Sequence, residues 1–142
     1  MRRITACLVA AAIATVTLFG LASTAEAITG PSWRTASGSG IVRMERCDGN
    51  RLCGVITRVI GAPVANDARN PDPALRSRPL VGIRILSGFT PAGPGRWTGG
   101  RIYNPEDGRS YRSELRTLPN GNLEVKGCVG PVCQDQIWTP IR

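Results

Sequence analysis

Between Ser110 and Thr117, Tyr111, Ser113, Leu115 and Thr117 alternate with Ser110, Arg112, Glu114 and Arg116. Leu123, Val125 and Gly127 alternate with Asn122, Glu124 and Lys126 in the same way. A period of two marks half-buried strands. No long 3.6-residue apolar period runs through the chain after residue 27. Short β-prone runs separated by Gly, Pro, Asn and Asp predict strands over Ile41–Cys47, Leu52–Ile60, Leu80–Leu86, Arg96–Tyr103, Ser110–Leu118, Asn122–Cys128 and Gln134–Trp138. The polar, proline-marked stretch from Gly61 to Pro79 reads as a long connection or a short irregular helix.

Two hairpins can be put in register. A two-residue Asn120-Gly121 turn would set Leu115 opposite Lys126, core against solvent. A three-residue loop of Pro119, Asn120 and Gly121 sets Leu115 opposite Val125 and Thr117 opposite Leu123, with Gly at the left-handed position. A type I turn from Asn104 to Asp107 followed by left-handed Gly108 joins Asn104 to Arg109 and sets Ile102 opposite Tyr111 and Gly100 opposite Ser113. Gly99 and Gly100 within that strand mark a bulge, a bend or a close approach. A meander of about seven or eight strands protects its edges best by closing. The predicted fold is therefore all-β, a small antiparallel up-and-down barrel with short irregular connections. Its interior is either filled by side chains or holds one small ligand, and so short a chain predicts a narrow pocket.

The N-terminus changes the setting. Arg2 and Arg3 precede an apolar run from Ile4 to Leu21, and Ala25 and Ala27 lie three and one positions before a cut after Ala27. This predicts a Sec-type signal peptide over residues 1–27 rather than a retained membrane anchor, and one domain over residues 28–142. The protein is then expected in the periplasm or secreted. No cysteine sits just after the cut, which argues against a lipoprotein, and Arg2-Arg3 lacks the surroundings of a twin-arginine signal.

Without Arg2, Arg3 and Glu26, sixteen basic and nine acidic side chains remain, a formal charge of +7; all the basic ones but Lys126 are arginine. That balance favours anionic surfaces without identifying one. With acids interspersed and no run of adjacent arginines, dedicated nucleic-acid binding is not expected. Cys47, Cys53, Cys128 and Cys133 form an even set in an oxidising compartment, which predicts disulfides. Of three pairings, Cys47–Cys53 and Cys128–Cys133 are favoured because each pair flanks a compact turn containing glycine. Loop-closure entropy makes each worth roughly 2.4 kcal/mol. Four-thiolate zinc binding is the competing idea, opposed by wide spacings and the compartment.

The chain has no histidine. Ser–His–Asp and Cys–His catalysis and imidazole metal sites are therefore excluded. Gly93, Gly95, Gly99 and Gly100 lack the strand–loop–helix context of a phosphate loop. Asp67, Asp72, Glu106, Asp107, Glu114, Glu124 and Asp135 are the acids open to paired-carboxylate chemistry, and most have turn or solvent-face explanations. No catalytic residue, metal or cofactor is assigned. Arg76 and Arg78 either bond to backbone carbonyls and carboxylates or line one barrel end and hold an anionic head group. Trp33 and Trp138 are expected to close the barrel near the termini, while Trp97 is a candidate for a pocket mouth. With inward-facing Tyr111, the ligand-binding candidates are Arg76, Arg78, Trp97 and Tyr111.

A family resemblance runs through these residues. Cys47 with Leu52-Cys53-Gly54, Asn70-Pro71-Asp72-Pro73 leading to Leu75-Arg76-Ser77-Arg78-Pro79-Leu80, Gly88-Phe89, Trp97-Thr98-Gly99-Gly100-Arg101-Ile102-Tyr103-Asn104-Pro105, Gly127-Cys128 and terminal Trp138 with Arg142 resemble the bacterial exported proteins grouped as domain of unknown function 2147. Two departures stand near the ends: Gly30-Pro31-Ser32-Trp33 is one residue longer than the family's early Gly-x-Trp, and three residues separate Trp138 from Arg142. The resemblance implies a calycin-like barrel related to lipocalins and no assigned reaction. The leading expectation is an exported, non-enzymatic barrel binding a small amphipathic or anionic ligand. The alternative is an envelope interaction module that contacts polyanionic glycan or lipid surfaces, or a partner protein.

Overall fold

In the computed structural model, which describes residues 30–61 and 66–142, eight strands follow one another around a closed antiparallel barrel. They are β1 (Ser32–Arg34), β2 (Gly40–Cys47), β3 (Arg51–Val59), β4 (Arg84–Pro91), β5 (Arg96–Asn104), β6 (Arg109–Thr117), β7 (Leu123–Val129) and β8 (Val132–Ile141). β1 closes the ring against β8, with Trp33 opposite Pro140. The expected signal peptide lies outside the described residues. Among the described residues, no helix is long and apolar enough to cross a membrane.

Both predicted registers are present. Leu115 faces Val125 and Thr117 faces Leu123, and the Leu118 N–H donates to the Asn122 carbonyl at 2.8 Å to close the three-residue loop. Ile102 faces Tyr111 and Gly100 faces Ser113, with Gly108 left-handed at φ 72°. The register slips between Trp97 and Gly100, so the paired glycines do mark a bulge. They also mark a close approach, since a Cβ on Gly100 would lie 2.4 Å from the Phe89 ring.

Three elements depart from the sequence expectation by more than one residue. The fourth strand runs over Arg84–Pro91 rather than Leu80–Leu86. Gly82, at φ 95°, breaks the extended backbone, and Leu80 and Ile83 instead turn inward as the end of a strap. The Gly82 N–H donates to the Ile56 carbonyl, and the Ile56 N–H donates to the Ile83 carbonyl, which anchors that strap end to β3. β1 is three residues long and owes its extended shape to its two neighbours, so no local pattern announces it. β8 continues past Trp138 through Pro140, beyond the last residue that pairs with β7.

Alternate up and down strands send the turns at residues 48–50, 92–95 and 118–122 to one end, together with Gly30 and Arg142. The segments 35–39, 60–61, 66–83, 105–108 and 130–131 lie at the other. The first end is filled. Val42, Met44, Leu86, Phe89, Leu115 and Leu123 are buried there, and Trp33, Leu52 and Trp97 pack against them. Each fully buried side chain of this size stabilises by about 1.5–3 kcal/mol. The Trp33 indole N–H donates to the Gly121 carbonyl at 3.4 Å, tying β1 to the β6–β7 turn. Disulfides join Cys47 to Cys53 across the β2–β3 turn and Cys128 to Cys133 beside the β7–β8 turn.

Candidate functional site

At the second end the barrel is open. A cup of about 1160 Å³ reaches from the loops down to Val125 and the buried ring of Trp138. That is wider than the narrow pocket the chain length predicts. The cause is side-chain size: Gly40 and Gly127 occupy lining positions, and a Cβ on Gly127 would meet nothing closer than Ile102 Cγ2 at 3.8 Å. Ile56, Val59, Ile85 and Ile102 make the wall apolar, while Gln134 and Gln136 add neutral polar groups from β8. Gln136 Oε1 accepts from the Trp138 indole N–H at 3.2 Å and fixes the floor ring. Charge appears at the mouth, where Arg69, Glu106 and Asp107 join the lining.

The strap from residue 66 to residue 83 borders this mouth and is organised by a carboxylate. Asp67 is fully buried. Its Oδ2 accepts from Arg78 Nε at 3.0 Å, Arg78 Nη2 at 2.8 Å and Asn70 Nδ2 at 2.7 Å, and its Oδ1 accepts from the Tyr103 hydroxyl at 2.5 Å. Burial alone would raise the Asp67 pKa, but the bonds from Tyr103, Asn70 and Arg78 outweigh it and hold the carboxyl below its ordinary value. The Tyr103 hydroxyl is pushed up to about 12 by burial and by the bond to Asp67. A Cβ on Gly108 would lie 1.9 Å from the Arg69 carbonyl oxygen, so the strap rests directly on the β5–β6 turn.

Tyr111 is the one sequence candidate that lines the cup. Its hydroxyl donates to the Asp107 carboxylate, and that bond, with a smaller effect of burial, raises its pKa. Arg76, Arg78 and Trp97 do not line the cup. Arg76 Nε donates to the Asn70 carbonyl at 2.8 Å, and Arg78 is spent on Asp67. Trp97 stands opposite Leu115 and Pro91 and packs against the filled end, because the β5 bulge lies between it and the open half. Asp67, one of seven acids open by sequence to paired-carboxylate chemistry, is a buried anchor. Asn70 is three residues away, but Arg78 and Tyr103 are 11 and 36 away, so no local spacing shows the full set. Four donors already occupy its oxygens, which leaves it unsuited to proton transfer.

An eight-stranded up-and-down barrel, plugged at one end and hollow at the other, is a lipocalin-like architecture. The chain belongs to the family described as "Uncharacterized protein conserved in bacteria (DUF2147)", which it matches over residues 32–140. Among solved structures it is similar to a Helicobacter pylori protein, HP1028, described as belonging to the lipocalin family. The two share 23% identity and a TM-score of 0.69, with 80% of this chain and 82% of the other covered. Likeness at that level shows the fold. No curated protein matches the chain.

Proposed function

We propose that this protein is an exported, non-enzymatic barrel that binds a small amphipathic ligand in its open half. The carrying observation is the cup itself, whose apolar wall and indole floor meet a polar mouth. Its volume of about 1160 Å³ lies just above the roughly 300–1,000 Å³ of small-molecule sites. Export is supported by the two disulfides, which persist in oxidising compartments. An anionic head group, if present, meets Arg69 at the mouth rather than Arg76 or Arg78, which are engaged elsewhere.

The test is a fluorescence titration with the neutral apolar probe N-phenyl-1-naphthylamine. Saturable enhancement is expected with the native chain. Gly127→Trp places an indole in the cup without backbone strain and should weaken binding at least about tenfold, with thermal unfolding still cooperative. Absence of saturable binding to the native chain, or equal binding by the filled variant, would sink the proposal.

A further inference from the structure

A second groove lies on the outer wall, beside the mouth. Arg101, Arg109 and Arg112 line it with Val129 and Gly130 at its upper lip. Arg101 and Arg112 are direct cross-strand partners, an arrangement that like charges disfavour. Among the described residues, none of the three makes a salt bridge, although Arg116, two alternations further down β6, pairs with Glu124 at 3.0 Å. Arg112 Nη2 donates to the Gly130 carbonyl at 2.6 Å and Arg101 Nη2 to the Ser110 carbonyl at 3.3 Å, which holds both guanidiniums beside the open end. Directly above them, Val129 and Val132 are 63% and 67% exposed, the two most exposed large apolar side chains among the described residues. Val129 lines both the cup and the outer groove, so the apolar lip joins one to the other.

We infer that this rim docks on an anionic phospholipid surface, with the β7–β8 turn entering the apolar boundary and the three arginines meeting lipid phosphates. Charge complementarity and the apolar tip point to a bilayer rather than a soluble polyanion, because a soluble glycan gives Val129 and Val132 nothing to bury against. The cup mouth then faces the membrane, and its ligand enters from the lipid phase. This rests on the cup reading and specifies where the ligand comes from.

Co-sedimentation of the purified protein with phosphatidylcholine vesicles, with and without phosphatidylglycerol, tests it. Binding is expected only to the anionic vesicles, and should fall as salt shortens the Debye length. Arg101→Gln with Arg112→Gln should lower the partition coefficient about fivefold per arginine. Val129→Ser with Val132→Ser should lower it too, whereas Arg46→Gln with Arg51→Gln at the filled end should not. Equal binding to neutral vesicles, or an unchanged arginine variant, overturns the proposal. So does retention on dextran sulfate that is lost with the arginines while the valine variant binds vesicles normally. The arginine variant should still bind N-phenyl-1-naphthylamine, so failure of docking and failure of the cup are read separately.

Discussion

On β6, Leu115 is sealed in a filled half-barrel, while Tyr111, four residues earlier and on the same inward face, stands at the edge of an open one. The alternation that turns both inward is identical, so strand pattern does not decide which half packs. The facing strands do. Around Leu115 the inward positions carry Phe89, Leu123 and Val125, with Trp97 directly opposite. Around Tyr111 they carry Gly127, Ile102 and Gln134. A plug and a cup thus differ by the volume of a few side chains on one continuous sheet.

The two halves should respond differently to the same kind of change. Phe89→Ala, in the plug, should cost about 3–5 kcal/mol in urea unfolding, because the closed half cannot collapse onto the void. Val59→Ala, on the cup wall, should cost under about 1 kcal/mol, because it enlarges a space that is already open. Comparable losses at both sites would erase the distinction.

The strap offers the next effect. Asp67 has a lowered pKa in the fold, so its contribution is full at neutral pH. It is lost as pH falls from the ordinary carboxyl range through the lowered value. Asp67→Asn should cost about 1.5–3 kcal/mol at pH 7 and flatten the acid limb of the stability–pH curve. Urea unfolding at several pH values measures both, and an unaltered acid limb would remove Asp67 as the anchor.

Two glycines supply the smallest contrast. Gly100→Ala drives a methyl into the Phe89 ring and should cost about 1–3 kcal/mol. Gly127→Ala meets only ordinary contacts and should leave the melting temperature within a few degrees or raise it. A reversed order would mean that the filled and open halves have been assigned to the wrong ends.

The sequence made the sheet legible wherever pairing is local. Turn chemistry at Pro119-Asn120-Gly121 and Asn104 to Gly108 set the registers of β5, β6 and β7, and Gly99-Gly100 marked a bulge, a bend or a close approach. β1 was not legible, because its three residues are strand only by virtue of partners at both edges. The site was harder still. Arg76 and Arg78 form an unusual local cluster, yet their partners are Asn70 and Asp67, so the cluster builds the strap instead of the mouth. The cup depends on which inward positions face one another around a closed ring, and that geometry is spread over seven strands.

A crystal structure of the protein with N-phenyl-1-naphthylamine bound tests the half-filled, half-open barrel most directly. The probe's rings are expected within the open half, bounded by Ile102, Val125 and Trp138, with Phe89 and Leu115 still packed below. A probe held only on the outer surface, over an interior whose wall residues have closed on one another, would contradict it.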